Sequence, residues 1–213
     1  IMAGLVGSEM CIRDRLSSAI KKYADLFGVA CGEKNILFTN NDSVYETAIS
    51  LIQKGIKVQA IIDNREEIDS KLIKETEKNN IKIYKGYTIV DTFGYKRING
   101  VSIMKLSKDG QKVIGSKENI SCDSLGISGG WTPAVHLFTQ SGGKLKFRDD
   151  DQVFIPNTYP SNQISIGSCN GDFTLDEILI NAPKLLKEFL NIKKTEYENI
   201  EIYSAFNKSK RNI

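Results

Sequence analysis

Thr39-Asn40-Asn41-Asp42-Ser43 and, further on, Asp63 and Arg65 are the polar residues whose types and spacing suggest chemistry. That chemistry is binding rather than bond-breaking. A turn that opens a helix offers free backbone N–H groups and the positive end of the helix dipole to a phosphate. An acid closing the following strand accepts the hydroxyls of a ribose. Asp63 lies 23 residues after Asn40, near the roughly 20-residue spacing of nucleotide-binding units. An acid there repels a 2′-phosphate and so favours NAD over NADP, while Arg65 leaves room for a phosphate. Ser128-Gly129-Gly130 and Gly167-Ser168 each close a later strand, where ligands of open α/β sheets lie.

Each of these residues also has a plain structural reading. The glycines of G-x-G-x-x-G are missing, and the turn reads Thr39-Asn40-Asn41-Asp42-Ser43-Val44. Asn and Asp tolerate left-handed backbone, but their side chains stand where pyrophosphate approaches, and Asp42 adds a repelling charge. Asp63 could be a solvated strand-end acid. Gly129 and Gly130 could serve only the turn into Trp131-Thr132-Pro133. Trp131 and Tyr45 read as packing residues, and His136 and Cys169 as structural. No catalytic residue and no metal ligand set is assigned. The acidic run Asp149-Asp150-Asp151 reads as a solvated loop, since the rest of a calcium-loop pattern is absent.

The elements that must position the turn are legible around it. Ile36 to Thr39 is an apolar run of strand length. Ser43 and Glu46 form an S-x-x-E capping box, which predicts a helix from Val44 to Gln53 with Val44, Ala48, Leu51 and Ile52 on one face. Gly55 suits a left-handed helix end. Ile56 to Ile62 is rich in β-branched residues and reads as a buried strand. The result is a βαβ unit, which implies a parallel sheet.

Before it, Leu16 to Phe27 is an amphipathic helix ended by Gly28. After it, a helix over residues 70–78 and a strand Ile81–Tyr84 are predicted. Short strands then follow at Thr88–Thr92, Lys96–Ile98, Val101–Leu106 and Lys112–Ile114, separated by Phe93-Gly94, Asn99-Gly100 and Asp109-Gly110, which are hairpin signals. This meander replaces a helix as the crossover to a strand over Asp123–Ser128. A strand at Ile164–Ile166 and a helix opened by a Thr174/Glu177 capping box close the pattern, with a kink expected at Pro183. The fold class is therefore α/β, a Rossmann-like parallel sheet with an antiparallel β-meander crossover.

Composition sets outer bounds. The chain has 213 residues, 40% hydrophobic and 26% charged, with a net charge of +3. That is ordinary for a soluble globular protein, and the mixed charges do not point to nucleic acid. No run of about 18 apolar residues predicts a membrane span. The four cysteines (Cys11, Cys31, Cys122, Cys169) are scattered without a C-x-x-C pair, which fits reduced thiols and a cytoplasmic protein. Residues 1–15 read as translated adapter sequence rather than native chain, with Val6 to Arg15 carrying that impression. Residues 16–145 are expected to form an NAD(P)-binding Rossmann-like domain. Residues 146–190 are expected to be a return segment of an adjoining dinucleotide-binding domain, and 191–213 a linker toward a missing C-terminal domain.

The order of these pieces resembles the two-dinucleotide-domain flavoproteins of the pyridine nucleotide-disulfide oxidoreductase type. Within that group, four blocks resemble the alpha subunit of heterotetrameric sarcosine oxidase. They are Leu37-Phe38-Thr39-Asn40-Asn41-Asp42-Ser43-Val44-Tyr45, Val90-Asp91-Thr92, Ser128-Gly129-Gly130-Trp131-Thr132-Pro133-Ala134-Val135-His136-Leu137-Phe138, and Gln140-Ser141-Gly142-Gly143-Lys144-Leu145. The third is the most specific, and the resemblance spans about residues 16–190.

The resemblance implies an oxidoreductase that demethylates sarcosine to glycine, passing the methyl carbon to tetrahydrofolate or releasing formaldehyde, with oxygen reduced to hydrogen peroxide. It implies NAD on this subunit, FAD and FMN in the complete complex, tetrahydrofolate in a C-terminal domain, and beta, gamma and delta subunits as partners. It also implies that the fragment alone is not catalytic. Gly167-Ser168 stands where many of these flavoproteins carry Gly-Asp. Two other readings stay open: the alpha chain of a related amino-acid, opine or proline dehydrogenase, and a scaffold domain that holds no nucleotide.

Overall fold

The structure is a computed structural model and describes residues 14–68, 71–160 and 162–190. The expectations for residues 1–13 and 191–213 lie outside it. The described chain forms two compact units, residues 14–130 and residues 131–190. The break falls after Gly130.

The first unit is built on a parallel sheet. Its strands are β1 (Asp14–Leu16), β2 (Asn35–Thr39), β3 (Val58–Asp63), β4 (Lys82–Lys85) and β8 (Ser124–Ser128), in the spatial order β1-β8-β2-β3-β4. Helices α1 (Ser17–Phe27), α2 (Ser43–Gln53) and α3 (Lys71–Lys78) connect the strands. Strands β5 (Tyr87–Phe93), β6 (Gly100–Leu106) and β7 (Val113–Ser121) form the antiparallel meander. The α/β reading with a meander crossover is what the chain adopts.

Strand alternation explains the two cores. Successive side chains point to opposite faces, so Ile36, Phe38, Ala60 and Ile62 join Leu125 and Ile127 against Ile89, Val101, Ile103 and Ile120 of the meander. Leu37 and Ile61 face the other way, against Ile20, Ala24, Val44, Ala48 and Leu51 of α1 and α2. At Gly126 on β8 the approach is too close for a side chain. A Cβ there would stand 2.6 Å from Leu37 Cδ2 and 2.9 Å from Ile20 Cδ1.

Asp14 and Arg15, within the stretch read as adapter sequence, sit in β1 and pair with Leu125 and Gly126 of β8. Two local expectations are corrected. Ser43 and Glu46 do not form a capping box. The Ser43 N–H donates to Asn41 Oδ1 (3.1 Å), the Ser43 hydroxyl donates to the same atom (2.6 Å), and Glu46 turns outward to Lys21 at 2.7 Å. Lys96–Ile98 is not a strand, because Asn99 N already donates to Phe93 O (2.8 Å) and closes the β5–β6 loop early. Ile98 nevertheless packs into the core.

The second unit comprises α4 (His136–Gln140), a hairpin of β9 (Lys144–Arg148) and β10 (Val153–Thr158), a 3-10 turn Gly167–Asn170 and α5 (Leu175–Phe189). Residues 164–166 belong to no strand among the described residues, although Ile166 has extended backbone, so the strand expected there is absent. Trp131, expected in the core, is 46% exposed. The Thr174/Glu177 capping box does form, with Glu177 N donating to Thr174 Oγ1 (3.4 Å) and Thr174 N donating to Glu177 Oε2 (3.4 Å). The Cys169 thiol donates to Ile166 O (2.9 Å).

Cys122, at the end of β7, is buried, and burial with the nearby Asp123 charge pushes its thiol from an ordinary 9.0 up to about 11. A raised folded value means that its contribution to stability is complete below the unfolded value and is lost as pH rises through about 11. At pH 8, iodoacetamide should therefore alkylate the half-buried Cys31 and Cys169 well before Cys122. Peptide mass mapping over time checks this. Labelling of Cys122 as fast as Cys31 in folded protein contradicts its burial.

Candidate nucleotide-binding edge

Three loops meet where the parallel strands β3, β2 and β8 end. Register brings them together: Thr39 stands opposite Asp63 on β3 and opposite Ser128 on β8. The chain leaves β2 through α2 toward β3 and β4, while β8 lies on the other side of β2. This is a switch point, the place where open α/β sheets take ligands.

The turn after β2 is held by side chains rather than glycines. The Thr39 hydroxyl donates to Asn41 O (2.7 Å) and accepts from Asn41 N (3.0 Å). Asn41 Nδ2 donates to Ser128 O (3.1 Å), to Ser128 Oγ (3.1 Å) and to Asn40 Oδ1 (2.9 Å). Ser43 Oγ and Ser128 Oγ share a hydrogen bond of 2.9 Å. Asn40 N donates to Ser128 O (3.4 Å), and Asn40 Nδ2 donates to Gly129 O (3.2 Å).

On the β3 side lies a buried charged cluster. Asp63 is fully buried, and its carboxylate is saturated. Oδ1 accepts from Arg65 N (3.0 Å) and Arg65 Nε (3.0 Å), while Oδ2 accepts from Arg65 Nη2 (2.7 Å) and the Tyr45 hydroxyl (2.8 Å). Two acceptor positions per oxygen are all that a carboxylate has. Arg65 Nη1 lies 2.8 Å from Asp42 Oδ1. Burial alone would lower the Arg65 pKa, but hydrogen bonds and charge from Asp63 and then Asp42 more than offset it, and it is raised. Burial, then the Asp63 charge, raises the Tyr45 phenol, which stays a neutral donor.

On the β8 side the edge is open. Gly129 and Gly130 are exposed. A Cβ built at Gly129 would meet no heavy atom within 4 Å, and Gly129 is not among the residues of positive φ. Neither packing nor backbone geometry requires glycine there.

Of the residues singled out in the sequence, Thr39, Asn40, Asn41, Asp42, Ser43, Asp63, Arg65, Ser128, Gly129 and Gly130 therefore belong to one strand edge. Gly167 and Ser168 lie in the second unit, at the 3-10 turn, where Gly167 has φ +74°. Tyr45 is the member that sequence reasoning left to packing. It does pack, at 0% exposure, but its hydroxyl also closes the Asp63 shell. No local pattern around Tyr45 points to that bond, since its acceptor lies 18 residues on.

No family model matches the chain. It is 30% identical over 156 residues to the sarcosine oxidase subunit alpha of Corynebacterium sp. (strain U-96), a match covering 73% of this chain and 16% of that protein. It is 29% identical over 160 residues to the same subunit of Corynebacterium sp. (strain P-1), covering 74% of this chain and 16% of the relative. A third such subunit, from Rhizobium meliloti (strain 1021), is 27% identical over 140 residues. The matched stretch is thus a small part of each relative. Among solved structures, T. acidophilum thioredoxin reductase aligns with a TM-score of 0.53 at 15% identity, covering 82% of this chain and 56% of that one. The flavoprotein disulfide reductase RclA from Escherichia coli aligns with a TM-score of 0.53 at 14% identity, covering 76% and 36%. At such identities these two bear on the fold alone.

The buried cluster predicts an order of costs. Arg65→Met leaves two carboxylates without their cation and should lower stability by about 3–5 kcal/mol. Tyr45→Phe removes one donor to a charged acceptor and should cost about 1.5–3 kcal/mol. Urea unfolding of both variants measures this, and a smaller loss for Arg65→Met than for Tyr45→Phe contradicts the charge assignment.

Proposed function

We propose that this chain, a homologue of part of the sarcosine oxidase alpha subunit, is the dinucleotide-binding region of an oxidoreductase subunit of that kind. In this reading the parent complex oxidatively demethylates sarcosine to glycine. The methyl carbon passes to tetrahydrofolate or leaves as formaldehyde, and oxygen becomes hydrogen peroxide. This region contributes NAD binding, and FAD, FMN and tetrahydrofolate are held elsewhere in the complex with its beta, gamma and delta subunits. The region itself carries no catalytic residue.

The observation that carries the binding role is Gly129. Its lack of a side chain serves neither packing nor backbone conformation, so the open space beside it is free for a ligand at the switch point. Asn40, Ser128 and Gly130 flank that space, and the start of α2 lends its dipole. Asp63, being saturated, acts by positioning Arg65 and Tyr45 rather than by touching ribose. Gly167 and Ser168 are proposed as further cofactor contacts in their own unit.

A second reading is favoured by one specific observation. The polar groups on the β3 side satisfy one another, as they would in a scaffold domain without nucleotide.

Cofactor content separates the two. The full-length reading frame, co-expressed with its neighbouring genes and purified as a complex, should release NAD and flavin, detectable by mass spectrometry, and form peroxide on addition of sarcosine. In the same complex, Gly129→Val should keep the flavin and the melting temperature but lose NAD. Flavin without NAD in the wild type supports the scaffold reading. Peroxide formation with a related secondary amine but not with sarcosine moves the substrate to another dehydrogenase class.

A further inference from the structure

We infer that Asp42 determines cofactor specificity at this edge by withholding Arg65 from a 2′-phosphate; the inference rests on the dinucleotide-binding reading above. An arginine just past the second strand of such a unit is the group that accommodates the 2′-phosphate of NADP, and Arg65 stands two residues past the end of β3. Phosphates are gripped by arginine through paired N–H groups. Here every nitrogen of the guanidinium is engaged. Nε and Nη2 donate to Asp63, and Nη1 stands against Asp42 Oδ1 at 2.8 Å. The side chains are nearly sealed, at 9% exposure for Arg65 and 6% for Asp42.

The two holds differ in kind. Asp63 binds Arg65 through aligned hydrogen bonds, including one to its backbone N–H, so that grip is part of the strand end. Asp42 meets the cation through a single nitrogen, Nη1 at 2.8 Å from Oδ1, and does so from the turn that opens α2 rather than from the strand end. Two carboxylates facing one guanidinium also leave the cluster with a net charge of about −1, which repels a phosphate dianion. Removing the Asp42 charge therefore does two things. It frees the Nη1 edge of Arg65, and it removes the excess negative charge.

Asp42→Asn tests this with little change of shape. Asp42 stands at the N-cap of α2, and Asn and Ser are both favoured there, so Asp42→Ser provides a second variant if the first fails to fold. The protein is the full-length subunit in its complex, stripped of nucleotide. The probes are NAD and NADP, titrated by calorimetry, with thermal melting as the folding control. The readout is the ratio of the two dissociation constants, because loss of a charge near α2 shifts both affinities together while only the 2′-phosphate shifts the ratio. The wild type should prefer NAD, and each variant should move the ratio toward NADP by about tenfold or more.

Wild-type binding of NADP as tightly as NAD overturns the inference without any variant. Wild-type preference for NAD with an unchanged ratio in a folded variant overturns the role of Asp42 and leaves the binding reading standing. Absence of binding by either nucleotide to the wild type overturns the binding reading and this inference with it.

Discussion

The parallel register of β2 against its two neighbours is the constraint on which the rest of the first unit depends. Thr39 is level with Asp63 on one side and Ser128 on the other. Because side chains alternate with a period of two, a slip of one residue in either pairing would send side chains meant for one core into the other. It would also carry Asp63 or Ser128 away from the turn they support. The register is pinned by burial on both faces, since Ile36 and Phe38 enter one core and Leu37 the other. Parallel strands then deliver their C-terminal ends to the same edge, so three loops converge without any contact being needed to draw them together.

At that edge, charge compensation decides what can stay buried. Asp63 without Arg65 would be a carboxylate at 0% exposure, a situation that burial penalises heavily. Arg65 meets it with three donors and Tyr45 adds a fourth. Asp42 adds a second carboxylate against the same cation and places a negative charge at the start of α2, where the helix dipole favours it. The same arrangement explains how the turn forms without glycines. Thr39 and Asn41 close it with side-chain hydrogen bonds, which supply locally what a glycine-rich loop leaves for a bound phosphate to supply.

The framework was legible in the sequence because it is written in local periodicity. The run Ile36–Thr39, the helix face of Val44, Ala48 and Leu51, and the turn glycines Gly28 and Gly55 each carry their signal within a few residues. The capping pattern shows where that logic stops. Thr174 and Glu177 form the box their spacing predicts, while Ser43 and Glu46, with the same spacing, do not. Asn41 claims the Ser43 groups first, and Lys21, distant in sequence, claims Glu46. The Tyr45–Asp63 bond was hidden for the same reason: nothing near Tyr45 in sequence announces a buried acceptor 18 residues on. β1 falls on residues read as adapter sequence (Asp14, Arg15) and on Leu16, read as the start of a helix, and its pairing depends on β8, far along the chain. Trp131 was placed in the core on residue type alone, and it is exposed.

The strand edge therefore has two halves of different character, and this asymmetry bears on what it does. Toward β3 the polar groups are paired with one another, and inserting a ligand there means breaking aligned, buried, charge-assisted hydrogen bonds, each stronger than an ordinary one. Toward β8 the edge ends in exposed backbone at Gly129 and Gly130, with no side chain to displace. A ligand approaching along the β8 side meets the lower cost, and the closed half then acts on it only at a distance, through net charge and through the position in which Arg65 is held. In that arrangement the sealed cluster is compatible with binding: it is the wall of the site rather than its floor.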